Sequence, residues 1–156
     1  MCSSDLARKY PSLMSDSEVP ERRYAPNTVS REAFVKAVSD MAGEVWDFHN
    51  RFEVGSGQFD GQTPTDIVAS RTNILDEEVS ELAEAVQGDE SDDAVADETG
   101  DILFVAMGHA EAMGQPGIDG IRRVTDKSTR KTLETHAIRK DTGKVLPLKG
   151  KPHKWQ

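Results

Sequence analysis

Apolar residues recur along the chain at the three- and four-residue spacings that are typical of amphipathic helices. The first helix is predicted to begin after Ser30, a suitable N-cap, and to end before Gly55 and Gly57. The apolar residues expected on its inward face are Phe34, Val38, Met41, Val45, Phe48 and Phe52. Such a stripe indicates a helix that packs against others in a bundle.

Two further helices are predicted, joined by a short turn around Gly88. Thr63 can cap the second helix, Pro64 suits its first position, and Asp66 completes a capping box. The apolar line of the second helix is Ile67, Ile74, Leu75, Val79, Leu82 and Val86. The third helix is predicted from about Asp92 to Met113, and its inward residues are Val95, Ile102, Ala106 and Met113.

A Gly- and Pro-containing break then separates a fourth predicted helix, from about Ile118 to Leu133. Strand-like alternation is not evident, and neither is an internal repeat. The predicted fold class is therefore all-α, an antiparallel four-helix bundle-like subunit. The predicted organisation is a flexible N-terminal arm over 1–29, one domain over 30–135 and a basic, irregular tail over 136–156.

Charge is distributed unevenly over the 156 residues, which carry a net charge of −9. The segment from Arg122 to Gln156 contains 11 Lys or Arg and 3 Asp or Glu, a net charge of +8, so the remainder carries −17. An acidic protein of this kind is not expected to bind nucleic acid in general. An anionic, metal-bound ligand would suit an acidic body with a basic end, although a solvated tail that balances charge is the alternative.

The composition also bears on the class of protein. The only cysteine is Cys2, so a disulfide within one chain is impossible and a reducing compartment is expected. No stretch approaches the 18 apolar residues of a membrane span, and the N-terminus shows no secretory signal. We therefore expect a cytoplasmic protein without a membrane partner.

Carboxylates are concentrated in the second and third predicted helices, in "DEEVSELAEA" and "DETGD". Glu78 and Glu81 are three residues apart, as are Glu98 and Asp101, so each pair projects from one helix face. A short turn makes the two helices antiparallel neighbours. Glu81 is then expected to face Glu98, and Glu78 to face Asp101.

Four carboxylates at one level repel one another unless a cation lies between them. Ligand sets made only of oxygen favour a hard ion, Mg²⁺ or alternatively Mn²⁺. Di-iron bundles use Glu-x-x-His instead, and no histidine occupies position 81 or 101. The alternative interpretation is an acidic helix face exposed to solvent.

These residues resemble the motif of the MazG-like all-α nucleoside triphosphate pyrophosphohydrolases, a superfamily that includes dimeric dUTPases, dCTP pyrophosphatases and phosphoribosyl-ATP pyrophosphatases. Its Glu-x-x-Glu and Glu-x-x-Asp pairs are matched by Glu78-Val-Ser-Glu81 and Glu98-Thr-Gly-Asp101. "RTNILDEEVSELAEAV" and "DETGDILFVAMGHAEAMG" are similar to the central helix pair of that superfamily, and "WDFHNRF" to the end of its first helix. The resemblance covers about residues 30–145.

The resemblance implies a Mg²⁺-dependent enzyme that converts a (d)NTP and water to a (d)NMP and diphosphate and clears surplus or non-standard nucleotides. It implies that the four acids bind the metal and that the chain forms a homodimer or homotetramer. "RRVTDKSTRK" resembles the phosphate-contacting Lys-x-x-Arg, as Lys127 and Arg130, and "DTGKV" resembles a Gly-Lys turn that contains Lys144. Lys131 is a further candidate for phosphate binding.

Other residues are candidates on chemical grounds. Glu77 points about 100° away from Glu78 and could orient or deprotonate the attacking water, or be a surface carboxylate. Trp46 and His49 could contact the base, although His49 could equally be a satisfied residue at a helix end. Arg71, two turns before Glu78, could pair with the acids or with a phosphate, and His109 is expected to be structural.

Two alternatives to this function stay open. One is phosphoribosyl-ATP pyrophosphatase, although "DKSTRK" stands where that branch has an Asn-Met-Ser-Lys-like segment. The other is a helical interaction module that binds a metal or a nucleotide without turnover.

Overall fold

The computed structural model describes residues 29–54 and 61–150. The helices are α1 (Arg31–Arg51), α2 (Pro64–Gln87), α3 (Asp92–Ala112) and α4 (Gln115–Thr129), and the strands are β1 (His136–Ile138) and β2 (Val145–Pro147). The all-α class is confirmed, because the strands form only one small hairpin. The predicted N-terminal arm, except its last residue, and the final six residues of the tail lie outside the described residues.

Local capping signals set the starts of the first three helices where the sequence predicts them. The Ser30 side chain accepts a hydrogen bond of 3.0 Å from the Ala33 backbone. Thr63 and Asp66 form the predicted reciprocal capping box, with Pro64 in the first turn. Each cap satisfies backbone N–H groups that have no partner inside the helix.

The fourth helix begins three residues earlier than predicted, at Gln115, and ends earlier, at Thr129. Gly114 adopts a φ of +66°, so it ends α3 and makes the break before α4. Pro116 then lies within the first turn of α4, where a proline does not interrupt helical hydrogen bonds.

Residues 29–54 and 61–120 belong to one compact unit, in which α3 packs against both α1 and α2. Its buried apolar residues are Val45, Ile67, Ala85 and Ala112. The Phe48 ring on α1 meets Phe104 on α3 edge to face, with 5.6 Å between ring centroids. Gly117 allows the start of α4 to approach α3, since a Cβ there would lie 1.8 Å from the Ala110 carbonyl oxygen.

Several residues predicted to face inward are exposed, so this part of the prediction needs correction. Phe34 is 61% exposed, Phe52 60%, Val79 50% and Val86 60%, whereas Val45 is buried as predicted. The spacing identifies which side of a helix is apolar but not how much of that side neighbouring helices cover. The helices of this unit cover only part of the apolar surface that the pattern defines.

Described residues from Ile121 onward belong to a second unit, which comprises the rest of α4 and the hairpin. The strands pair antiparallel, with Ala137 opposite Leu146. Between them, Arg139 donates to Asp141 at 2.9 Å and lowers the pKa of that carboxyl. No strand was predicted here and the tail was expected to be irregular, because strands of three residues are too short to show alternation.

No helix in the described part of the chain is both long and apolar enough to cross a membrane.

Candidate metal centre

Three carboxylates from α2 and α3 converge on one small volume. Glu78, Glu98 and Asp101 each offer an oxygen atom, and these three atoms lie within 4.8 Å of one another. Glu78 and Glu98 are half-buried, whereas Asp101 is exposed. The short turn after α2 brings the acids together, because the two antiparallel helices place residues that are distant in sequence at the same level.

The fourth predicted ligand, Glu81, lies beside this group. Its exposed carboxylate is outside the set of three oxygens that converge. Even so, among charged neighbours Glu81 has the largest effect on the pKa of both Glu78 and Glu98. Glu81 therefore contributes to the negative field of the site.

The environment disfavours the charged forms of the two half-buried acids. Burial is the largest cause that raises the pKa of Glu78 and of Glu98, and the charges of Glu81 and Asp101 raise both further. A carboxylate in such surroundings is stabilised either by a proton or by a cation. A cation held among these acids would stabilise their charged forms.

An unpaired oxygen supports the same conclusion. Glu98 Oε2 is buried and has no hydrogen-bond partner in the described residues. Buried carboxylate oxygens without a partner are rare, and a metal ion is one of the groups that satisfy them. Mg²⁺ binds oxygen at about 2.1 Å, so two ligands on opposite sides of the ion are roughly 4.2 Å apart. The all-oxygen donor set suits such an ion, and the atoms lie within 4.8 Å of one another.

The other predicted site residues lie in several places. Glu77 is exposed next to Glu78, and its charge also raises the pKa of Glu78. Trp46 is 63% exposed on α1. The four candidate phosphate-binding residues all belong to the second unit and are Lys127, Arg130, Lys131 and Lys144. Of these, Arg130, which directly follows α4, forms an ion pair with Asp126 in the last turn of that helix.

His49 occupies an interior position, where it is 2% exposed. Its Nδ1 contacts the carboxylate of Glu111, and its Nε2 lies 3.4 Å from Nη2 of Arg71. Arg71 thus contacts His49, whereas the sequence suggested the acids or a phosphate as its partner. Glu111 was missed altogether, because it is 62 residues from His49 and no local pattern marks the pair.

The comparison with known families agrees with this geometry. The family model of the MazG nucleotide pyrophosphohydrolase domain matches residues 68–137. The match covers less than half of the chain, and it supports the MazG-like superfamily. The matched MazG-like segment contains all three converging acids, and the resemblance drawn from the sequence is confirmed. Searches of curated proteins and of solved structures found no significant match.

Proposed function

We propose that this MazG-like chain is a Mg²⁺-dependent nucleoside triphosphate pyrophosphohydrolase that converts a (d)NTP and water to a (d)NMP and diphosphate. The observation that supports the proposal most strongly is the convergence of Glu78, Glu98 and Asp101 within a segment matched by a nucleotide pyrophosphohydrolase family. Removal of surplus or non-standard nucleotides from the cytoplasmic pool is the role that such a reaction serves.

A triphosphate is strongly anionic, so the carboxylates alone would repel it. The three converging acids and Glu81 would hold Mg²⁺, or Mn²⁺ in its place. The ion would neutralise phosphate charge, and it would make a bound water molecule acidic enough to act as the nucleophile. This requirement explains why an acidic site can serve an anionic substrate.

The remaining roles are assigned to protein side chains. Glu77 accepts a proton from the water that attacks the α-phosphorus. A new oxygen–phosphorus bond forms there, the bond from the α-phosphorus to the bridging oxygen breaks, and diphosphate leaves. The four candidate phosphate-binding residues neutralise the charge on the phosphates and the leaving group. These residues are Lys127, Arg130, Lys131 and Lys144.

Trp46 is assigned to the nucleobase, because its exposed indole offers a flat apolar surface for stacking. His49 is assigned an indirect role in base binding, through the side chain of Arg71 that it contacts. A homodimer or homotetramer is supported by the exposed apolar residues on α1 and α2, which association would remove from water.

The proposal is tested with the full chain, Mg²⁺ and the eight common NTPs and dNTPs, with diphosphate and orthophosphate measured separately. Diphosphate is expected as the direct product. Glu98→Gln and Asp101→Asn are expected to lose at least 100-fold in kcat/KM, since the metal would lose a ligand. Glu84→Gln, an exposed acid on α2 outside the group, is the matched control and should be unaffected.

Direct release of orthophosphate would place the cleavage at another bond and overturn the proposal. A chain that binds nucleotides with Mg²⁺ but releases neither product would be the non-catalytic module. Preferential turnover of phosphoribosyl-ATP in the same assay would instead identify the other enzyme of this superfamily.

A further inference from the structure

A second polar cluster lies along the helices that carry the acids. Arg71 precedes Glu78 by seven residues on α2, and His109 follows Glu98 by eleven on α3. Both intervals are close to whole numbers of helical turns, so each residue shares a helix face with its acid. Because α2 and α3 are antiparallel, both residues lie farther from the connecting turn than the acids do, Arg71 by about 10 Å and His109 by about 16 Å along the helix axes.

The cluster is held together by contacts between three helices. If His49 Nδ1 donates to Glu111, then His49 Nε2 can accept from Arg71. The positive charge of Arg71 is then balanced by Glu111 through the histidine. Gly108 provides room for this ring, because a Cβ there would lie 3.0 Å from His49 Nε2.

Two nitrogen atoms of the cluster have no hydrogen-bond partner in the described residues, Arg71 Nε and His109 Nε2. His109 is only 8% exposed. Burial is the main cause that lowers the pKa of His109, and the charge of Arg71 lowers it further, whereas an interaction with the Arg71 backbone acts in the opposite direction. The lowered pKa favours the neutral form of His109 at pH 7. Because Nε2 is unpaired, Nδ1 is the nitrogen that donates to the Arg71 backbone, and Nε2 is left as a hydrogen-bond acceptor.

Unpaired buried polar groups are unfavourable and are uncommon in folded proteins, so these two call for a ligand. A phosphate is a poor candidate, because Arg71 is already balanced by Glu111 and His109 is uncharged. A neutral group with hydrogen-bond donors and acceptors suits the cluster better. A nucleotide carries such a group, its base, at a distance from its phosphates.

We propose that Arg71 and His109 bind the hydrogen-bonding edge of the nucleobase when the phosphates of the same nucleotide lie at the metal group. This inference rests on the proposed function for the identity of the ligand. Arg71 Nε donates to an acceptor on the base, and His109 Nε2 pairs with an adjacent polar atom. His49 and Glu111 are positioning residues, since they hold the guanidinium of Arg71.

The test is equilibrium binding, in the presence of Mg²⁺, of the α,β-methylene analogues of the eight nucleotides and of inorganic tripolyphosphate. The central variant is His109→Leu, which replaces an unpaired buried polar side chain with an apolar one of similar size and therefore should fold. The expected result is a loss of about tenfold or more in affinity for the preferred nucleotide, so that discrimination among bases falls. Tripolyphosphate, which has no base, should bind as it does to the original chain.

Met107→Leu, at a half-buried apolar position on the same helix, is the matched control and should leave every affinity unchanged. Arg71→Lys keeps the charge but removes the Nε donor, and it is expected to resemble His109→Leu. Unchanged base discrimination in both variants would overturn the inference, and so would an equal loss of affinity for tripolyphosphate.

Binding separates this inference from the proposed function. A chain that discriminates among the analogues through Arg71 and His109 but releases no diphosphate from true substrates would refute the enzyme and retain the base site. A chain that binds none of the analogues would refute both. Diphosphate release without any effect of the two variants on binding would refute the base site alone.

Discussion

Magnesium is expected to stabilise the folded chain through the acid group, and Glu78→Gln tests this directly. The pKa of Glu78 is raised in the folded state, so its charge opposes folding above the ordinary carboxyl pKa of 4.5. This unfavourable contribution is absent below pH 4.5 and is fully present above the raised pKa. At pH 7 the metal-free variant should therefore unfold at a higher temperature than the original chain, and the difference should disappear near pH 4.

The effect of metal follows from mass action. Mg²⁺ at about 100 times its dissociation constant adds about 2.7 kcal/mol to the free energy of unfolding of the original chain. For a chain of this length, that corresponds to a rise of roughly 5–11 °C in Tm. If the loss of one ligand weakens binding about 100-fold, the same Mg²⁺ concentration adds only about 0.4 kcal/mol to the variant. The two stability curves should then converge as Mg²⁺ is added.

The assay is thermal unfolding, followed by circular dichroism, over a Mg²⁺ titration at pH 7 and again at pH 4. Glu84→Gln is the control, because it removes one charge from the same helix outside the acid group. Equal Mg²⁺ shifts in Glu78→Gln and in the original chain would show that the converging acids do not hold the ion, and the reasoning would fail.

Three further predictions concern packing, pH and capping. Gly117→Ala is expected to cost about 1–3 kcal/mol or more in urea unfolding, because its Cβ would overlap the α3 backbone. Gly43→Ala on α1, with open space around its Cβ, should instead stabilise by up to about 1 kcal/mol. Because the pKa of His109 is lowered, stability should fall as the pH drops below 6.5 towards that lowered pKa, and His109→Leu should lose less over that range. Thr63→Ala is expected to cost about 1 kcal/mol of the unfolding free energy, whereas Thr65→Ala, exposed in the same turn, should cost less.

Each of these predictions has a result that contradicts it. Equal unfolding free energies for Gly117→Ala and the original chain would mean that α4 does not approach α3 so closely. If the stability of His109→Leu depended on pH as that of the original chain does, His109 would not be the group whose protonation destabilises the folded state. Equal costs at positions 63 and 65 would remove the capping box as the reason for the start of α2.

Signals that act over a few residues were sufficient for much of the fold. Ser30, Thr63 and Asp66 predict two helix starts because capping depends only on adjacent backbone N–H groups. The hairpin was missed because its strands are too short for a periodic pattern. The predicted start of α4 is late because the break at Gly114 takes fewer residues than the Gly- and Pro-containing composition suggests.

The candidate metal centre was also largely predictable. Its two acid pairs lie on helices joined by a short turn, so acids of both helices were expected at one level, although Glu81, expected to face Glu98, is outside the converging set. The polar cluster behind it was not predictable, since Glu111 and His49 meet only because α1 packs on α3. Residue spacing within one helix does not predict which face of a distant helix packs against it.

The sequence by itself thus determined the helices, their apolar faces, the shared level of the acids and the resemblance to a family, because each depends on local spacing or on motif residues. Tertiary structure decided that Glu81 lies beside the converging oxygens rather than among them, and that His49 is buried against Glu111. It also decided that much of the apolar stripe is left exposed. The physical reason is that burial and pairing between distant segments depend on how helices dock, and docking is a property of the packed chain as a whole.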